Sequence, residues 1–143
     1  MPIYLDTIVG QDMRIIASTL TIGLMVGSAA LAKPPLREVS EIDDGLMIVA
    51  IADAIRKTCD DINPRLIRAY SALTALKETA RDKGYTEKEV ERYVTSKAEK
   101  DRMRAKAERF LQDKGVQADD DAALCRFGRE QIQSQTDIGQ LLR

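Results

Sequence analysis

Histidine and tryptophan are both missing from the 143 residues, and aromatic side chains make up only 4% of them. Without an imidazole there can be no Ser-His or Cys-His pair, no imidazole metal ligand and no histidine charge switch near neutral pH. Carboxylate and lysine chemistry stays open. However, the adjacent Asp60 and Asp61 and the pair Glu87 and Glu91 read as helix ends and exposed faces. Nothing around them would bury a carboxylate and raise its pKa for acid–base work. The expectation is a non-enzymatic protein without a cofactor or small-molecule site. An excess of one charge is lacking too. The formal net charge is −1, and setting aside residues 1–32 removes Arg14 against Asp6 and Asp12, which brings it to zero. A nucleic-acid binder shows a basic excess or stripe, so that class is excluded.

Long apolar runs are scarce, and the one present lies near the start. Ile15 to Leu31 is followed by Ala32 and then Lys33-Pro34-Pro35. Ala30-Leu31-Ala32 puts small residues where signal peptidase reads them, and the proline pair keeps the region beyond extended. Gly23 and Gly27 interrupt the run, which is marginal for a permanent span of about 20 apolar residues. Asp6 and Asp12 ahead of it are wrong for a signal peptide, whereas a start at Met13 gives Met-Arg, the apolar run and Ala-Leu-Ala. Residues 1–32 are therefore expected to be a cleaved signal peptide, with the true start at Met13 and a domain over 33–143. An uncleaved anchor, holding the domain at a membrane, is the alternative.

Beyond Lys33 the patterning is helical throughout. Residues 33–42 read as an irregular lead-in, and Asp43 and Asp44 as the cap of a first helix, LMIVAIADAIRKTC. That helix hardly leaves a polar face, which predicts a central position. Asn63-Pro64 signals the next start. Leu66, Ala69, Tyr70, Leu73, Leu76 and Ala80 follow at 3–4 spacing, and Gly84 is the stop. Thr86 and Glu89 form a capping box. From Glu87 to Lys114 there is no Pro or Gly, yet the apolar face set by Val90, Tyr93 and Val94 is offset by roughly 105° from that of Met103, Ala107, Phe110 and Leu111. With Ser96 and Glu99 as a second capping box, this predicts a break at Thr95–Lys97. Gly115 ends that segment, and Asp119-Asp120-Asp121 lead into ALCRFGREQI. Ser134 to Asp137 then breaks the helix before a tail, Ile138, Leu141 and Leu142, that is apolar enough to dock. The fold class is all-α, a single bundle of four to five helices.

Few residues stand out as sites. Two cysteines in a cytosolic chain would be buried apolar residues, whereas in an exported one an even pair is a bridge, so Cys59 and Cys125 are expected to be joined. The Asp119–Asp121 triplet lacks the alternate spacing, glycine and distal Glu of a calcium loop, and reads as helix capping with no metal. Lys97, Lys100, Arg102, Arg104, Lys106 and Arg109 form the densest basic run. Lys97 with Asp101 and Arg104 with Glu108 stand at helical neighbour spacing, which reads as a self-paired solvated face. The sharper reading of the same six residues is a docking surface for an acidic partner or membrane headgroups.

The segments KPPLREVSEIDDGL, IADAIRKTCDDI, YVTSKAEKDRMR and CRFGREQIQSQTDIGQLLR resemble a family of small exported alphaproteobacterial proteins of unknown function, over nearly all of residues 33–143. The resemblance implies export to a Gram-negative periplasm and carries over no catalytic residue. A looser similarity of architecture links the chain to periplasmic acid-stress chaperones of the HdeA type, which are also small, helical and single-disulfide. The 66-residue cysteine separation is longer than that family implies, and no motif matches. Two functions follow as expectations: an accessory protein binding an unknown envelope protein or complex, and an acid-stress chaperone.

Overall fold

The computed structural model describes residues 32–143. The signal peptide expected over 1–32, with its start at Met13, lies outside the described residues except for Ala32. A single 3-10 turn, Leu36–Glu38, opens the domain. Six helices follow: α1 Ser40–Thr58, α2 Leu66–Asp82, α3 Glu87–Thr95, α4 Lys97–Asp113, α5 Asp121–Gln133 and a single turn, α6, Asp137–Gln140. This is the expected all-α bundle, at the upper end of the four to five helices foreseen, with the docking tail forming an extra turn. No helix of the described residues is long and apolar enough to cross a membrane.

The apolar sequence of α1 places it at the centre, in contact with the 3-10 turn, α2, α4, α5 and α6. Ile51 and Ile55 are sealed from solvent, as is Leu142 beyond α6. Each such side chain contributes roughly 1.5–3 kcal/mol on burial. Around them pack Met47, Ile62, Leu111, Leu124, Phe127 and Ile138. A second small core of Leu36, Ile42, Ala80 and Tyr85 gathers the start of the domain against the α2–α3 corner. Lys33 Nζ reaches the Gly84 carbonyl at 2.6 Å and lies 4.8 Å from the Tyr85 ring centroid. Gly84 there has φ +85°, the left-handed stop that the sequence predicts.

Helix boundaries depart from expectation at two places, and one capping box is incomplete. The lead-in is not irregular, because α1 begins at Ser40 and its first amides follow on from the 3-10 turn. Asp43 and Asp44 are consequently inside the helix and cap nothing. Asn63-Pro64 does not start α2 either. Asn63 exchanges both backbone hydrogen bonds with Arg143 at 2.8 Å, and Arg65 N–H donates to the Leu141 carbonyl at 2.8 Å. The chain end thus clamps this loop, and the helix starts two residues later with no side-chain cap. At Ser96 the expected break is present and the serine Oγ accepts from Glu99 N–H. The box is only half formed, because the Glu99 carboxylate is taken by Arg37 and Arg102. The complete box stands at Thr86 and Glu89, and Asp120 caps α5.

The expected disulfide joins Cys59, just past α1, to Cys125 in the second turn of α5, with Cα atoms 5.6 Å apart. It fastens the end of the central helix to the last long one.

Candidate functional site

Two features stand out from the packing, a buried carboxylate and an apolar cleft beside it. Asp43 is the one charged residue buried among the described residues, with 4% of its surface exposed. Burying a charge unpaired is costly, so partners must converge on it. Arg102 engages it through both terminal nitrogens, and Lys106 Nζ lies 2.6 Å from its Oδ2. The Tyr93 hydroxyl donates to Oδ1 at 2.7 Å and accepts from Arg102 at 2.7 Å. Burial pushes the Asp43 carboxyl up, but the hydrogen bonds of Arg102, Lys106 and Tyr93 outweigh it and hold the pKa down at about 2. Burial and the bond to Asp43 in turn raise the Tyr93 phenol well above its usual range. The bond to Asp43 raises Arg102 as well. For Lys106 burial works downward, and the bonds to Asp43 and Asp44 carry it upward. The cluster is a latch of one carboxylate, two cations and a neutral phenol that ties α1 to α3 and α4.

The cleft lies between α1, α2 and the α3–α4 corner and has a volume of about 370 Å³. Leu46, Val49 and Ala50 of α1 line it, with Leu66, Ala69 and Leu73 of α2, Val94 and Met103 across from them, and Leu141 and Leu142 from the chain end. Four charged side chains also line it. Asp53 is held by Arg56 and Lys57, and Glu99 by Arg37 and Arg102. Burial would raise Asp53, but Lys57 and Arg56 bring it below the ordinary range. Lys100 has no carboxylate partner among the described residues. Of the exposed large apolar side chains, Leu66, Leu73 and Val94 line the cleft, and Ile67 and Tyr70 stand exposed beside them on α2. The apolar stripe of α2 is therefore largely solvent-exposed, and only Ala80 of that helix is buried. An exposed apolar patch rimmed by polar groups marks an interaction site.

The basic run does not form one docking surface. Arg102 and Lys106 turn inward to Asp43, which corrects the expectation that they face a partner. Lys97 pairs with Asp101 as expected, and Arg104 also turns to Asp101, 3.6 Å away, instead of Glu108. Arg109 is exposed on α4, away from the residues lining the cleft, and Lys100 alone of the six reaches it. The sequence holds two signals of the latch, although the roles expected of these residues were a helix cap and an exposed face. Asp43 is one helical turn from the core residue Met47, and Arg102 and Lys106, four apart, share a face. The cleft left no sequence signal, since a stripe facing solvent and one facing a core read alike. Among the described residues no cluster of three or more Cys, Asp and Glu is placed to hold a metal.

A small all-helical domain closed by one disulfide and opened on one side by an apolar cleft defines the class. Residues 34–143 match the model of a family of unknown function (DUF5333), and the chain belongs to that family. No curated protein and no solved structure matches it, and the looser likeness to HdeA-type chaperones finds no support there.

Proposed function

We propose that the protein is a non-enzymatic accessory factor of the cell envelope, exported to the periplasm by cleavage before Lys33, and that it binds a partner protein through the cleft. The observation that carries this is the exposure of Leu66, Leu73 and Val94 at one cleft, with Tyr70 exposed beside it on α2 as an aromatic anchor of the kind that dominates interfaces. Absence of an imidazole supports the non-enzymatic reading, as does a buried carboxylate held ionised by two cations instead of poised near neutrality. The disulfide supports an oxidising compartment. Tertiary contacts already made by Lys33 are compatible with its being the first mature residue. Affinity capture from envelope fractions, with Leu73→Glu and Arg104→Glu as paired controls, tests the binding. A specific partner lost with the first and kept with the second is the expected result. No partner, or one indifferent to Leu73→Glu, counts against it. Intact mass of the periplasmic species tests export, and a form retaining residues 15–32 refutes cleavage in favour of the anchor.

A second reading, an acid-stress chaperone, has one observation in its favour. A single carboxylate holds three helices together, and its protonation would loosen them. A domain that stays folded at pH 2–3 and does not suppress aggregation rules that reading out.

A further inference from the structure

Resting on the cleft as the binding site, we infer that its occupant is an amphipathic helix with acidic flanks, supplied by the partner protein. The apolar part of the argument is shape. Leu66, Tyr70 and Leu73 follow one another at spacings of four and three along α2, which is the pattern an apposed helix reads. Leu66 and Leu73 line a concavity, with Tyr70 exposed beside them, where knobs from a partner can seat, and a flat bilayer offers no knobs. A single acyl chain in the cleft would leave Ile67 and Tyr70, which are 84% and 73% exposed, in water.

The charge part comes from counting which groups are already satisfied. Both carboxylates lining the cleft, Asp53 and Glu99, are neutralised by two cations each. Lys100 on the cleft and Arg68 in the shallow depression adjoining it at Val49 and Leu141 have no carboxylate partner among the described residues. The opposing carboxylate in that depression is Asp137, in the first turn of α6. The first twelve residues of α2, Leu66 to Lys77, contain no acid, and Arg65 precedes them. A ligand with Glu or Asp beside its apolar face meets cations there, and one with Lys or Arg meets repulsion. Such complementarity decides partner choice more than raw affinity.

Two synthetic amphipathic peptides of roughly 18 residues, long enough to hold a helix, test it on the oxidised full chain. They share an apolar face of Leu, Ile and Phe, and their flanks are all Glu in one and all Lys in the other. The Glu peptide is expected to bind at least about tenfold more tightly in low salt, with methyl shifts at Leu66, Leu73, Val94 and Met103. The preference should shrink with salt, and the double variant Arg68→Glu with Lys100→Glu should reverse it. Tyr70→Glu, at an exposed position that leaves the core intact, should abolish binding of both peptides. Equal or tighter binding of the Lys peptide at the cleft overturns the charge assignment while the cleft remains a binding site. Binding to phosphatidylglycerol vesicles or dimerisation through Tyr70, with neither peptide bound, overturns the helix as occupant. If, in addition, envelope capture is indifferent to Leu73→Glu, the proposed function falls with it.

Discussion

Asp43 shows how one residue can set the acid limit of a domain. Its pKa is about 2 in the folded state against an ordinary 3.8, so its contribution is present above about pH 4 and is lost as pH falls from there toward 2. The difference corresponds to about 2 kcal/mol, a substantial share of the 5–15 kcal/mol of a small domain. Urea midpoints at pH 5 and pH 2.5 should therefore differ strongly in the natural chain. Asp43→Asn should flatten that dependence while lowering stability at neutral pH by about 3 kcal/mol, since Arg102 and Lys106 lose their counter-ion. An unchanged pH profile in the variant would show that the latch is not the acid-sensitive element. Glu89, also held at about 2 by the Thr86 backbone amide and then Lys33, should leave a residual slope.

At the scale of elements, local signals were read correctly wherever a helix end is decided by its own neighbours. Thr86, Ser96, Gly84 and Asp120 act where the sequence placed them because capping satisfies amides within three residues. Asn63-Pro64 failed because the chain end claimed its backbone groups first. The turn α6 depends on distance of another kind. A Cβ on Gly139 would lie 1.9 Å from the Gln131 carbonyl oxygen and 2.7 Å from the Ile132 nitrogen, both backbone atoms of α5. Gly139→Ala should consequently lift α6, at a cost of about 1–3 kcal/mol or more. Because Leu141 and Leu142 line the cleft, their NMR signals and any peptide binding should be lost together with the stability. A variant that melts like the natural chain would show that α5 yields.

For the whole molecule, the bridge between Cys59 and Cys125 is the long-range tie that the sequence made legible. Closing a 66-residue separation removes denatured-state freedom worth about 4 kcal/mol in the chain-entropy model. Reduction should thus lower the melting temperature by many degrees, and Cys59→Ala with Cys125→Ala should reproduce the shift without reductant. A melting temperature indifferent to reductant would place the stability elsewhere, in the α1 core.

What the sequence determined by itself was the set of things fixed by near neighbours and by composition. These are the helices and their breaks, the central apolar α1, the cysteine pair and the lack of imidazole chemistry. The tertiary structure decided how side chains on those helices were used. The same 3–4 spacing that buries Ala80 leaves Leu66 and Tyr70 in solvent, because the α3–α4 corner stands off from the first turns of α2 and leaves a cleft. The same basic run that reads as one surface is divided between Asp43, Asp101 and the cleft, because α4 lies against α1 with Arg102 and Lys106 turned inward. Periodicity records which residues share a face of a helix. What that face meets depends on where the other helices come to rest.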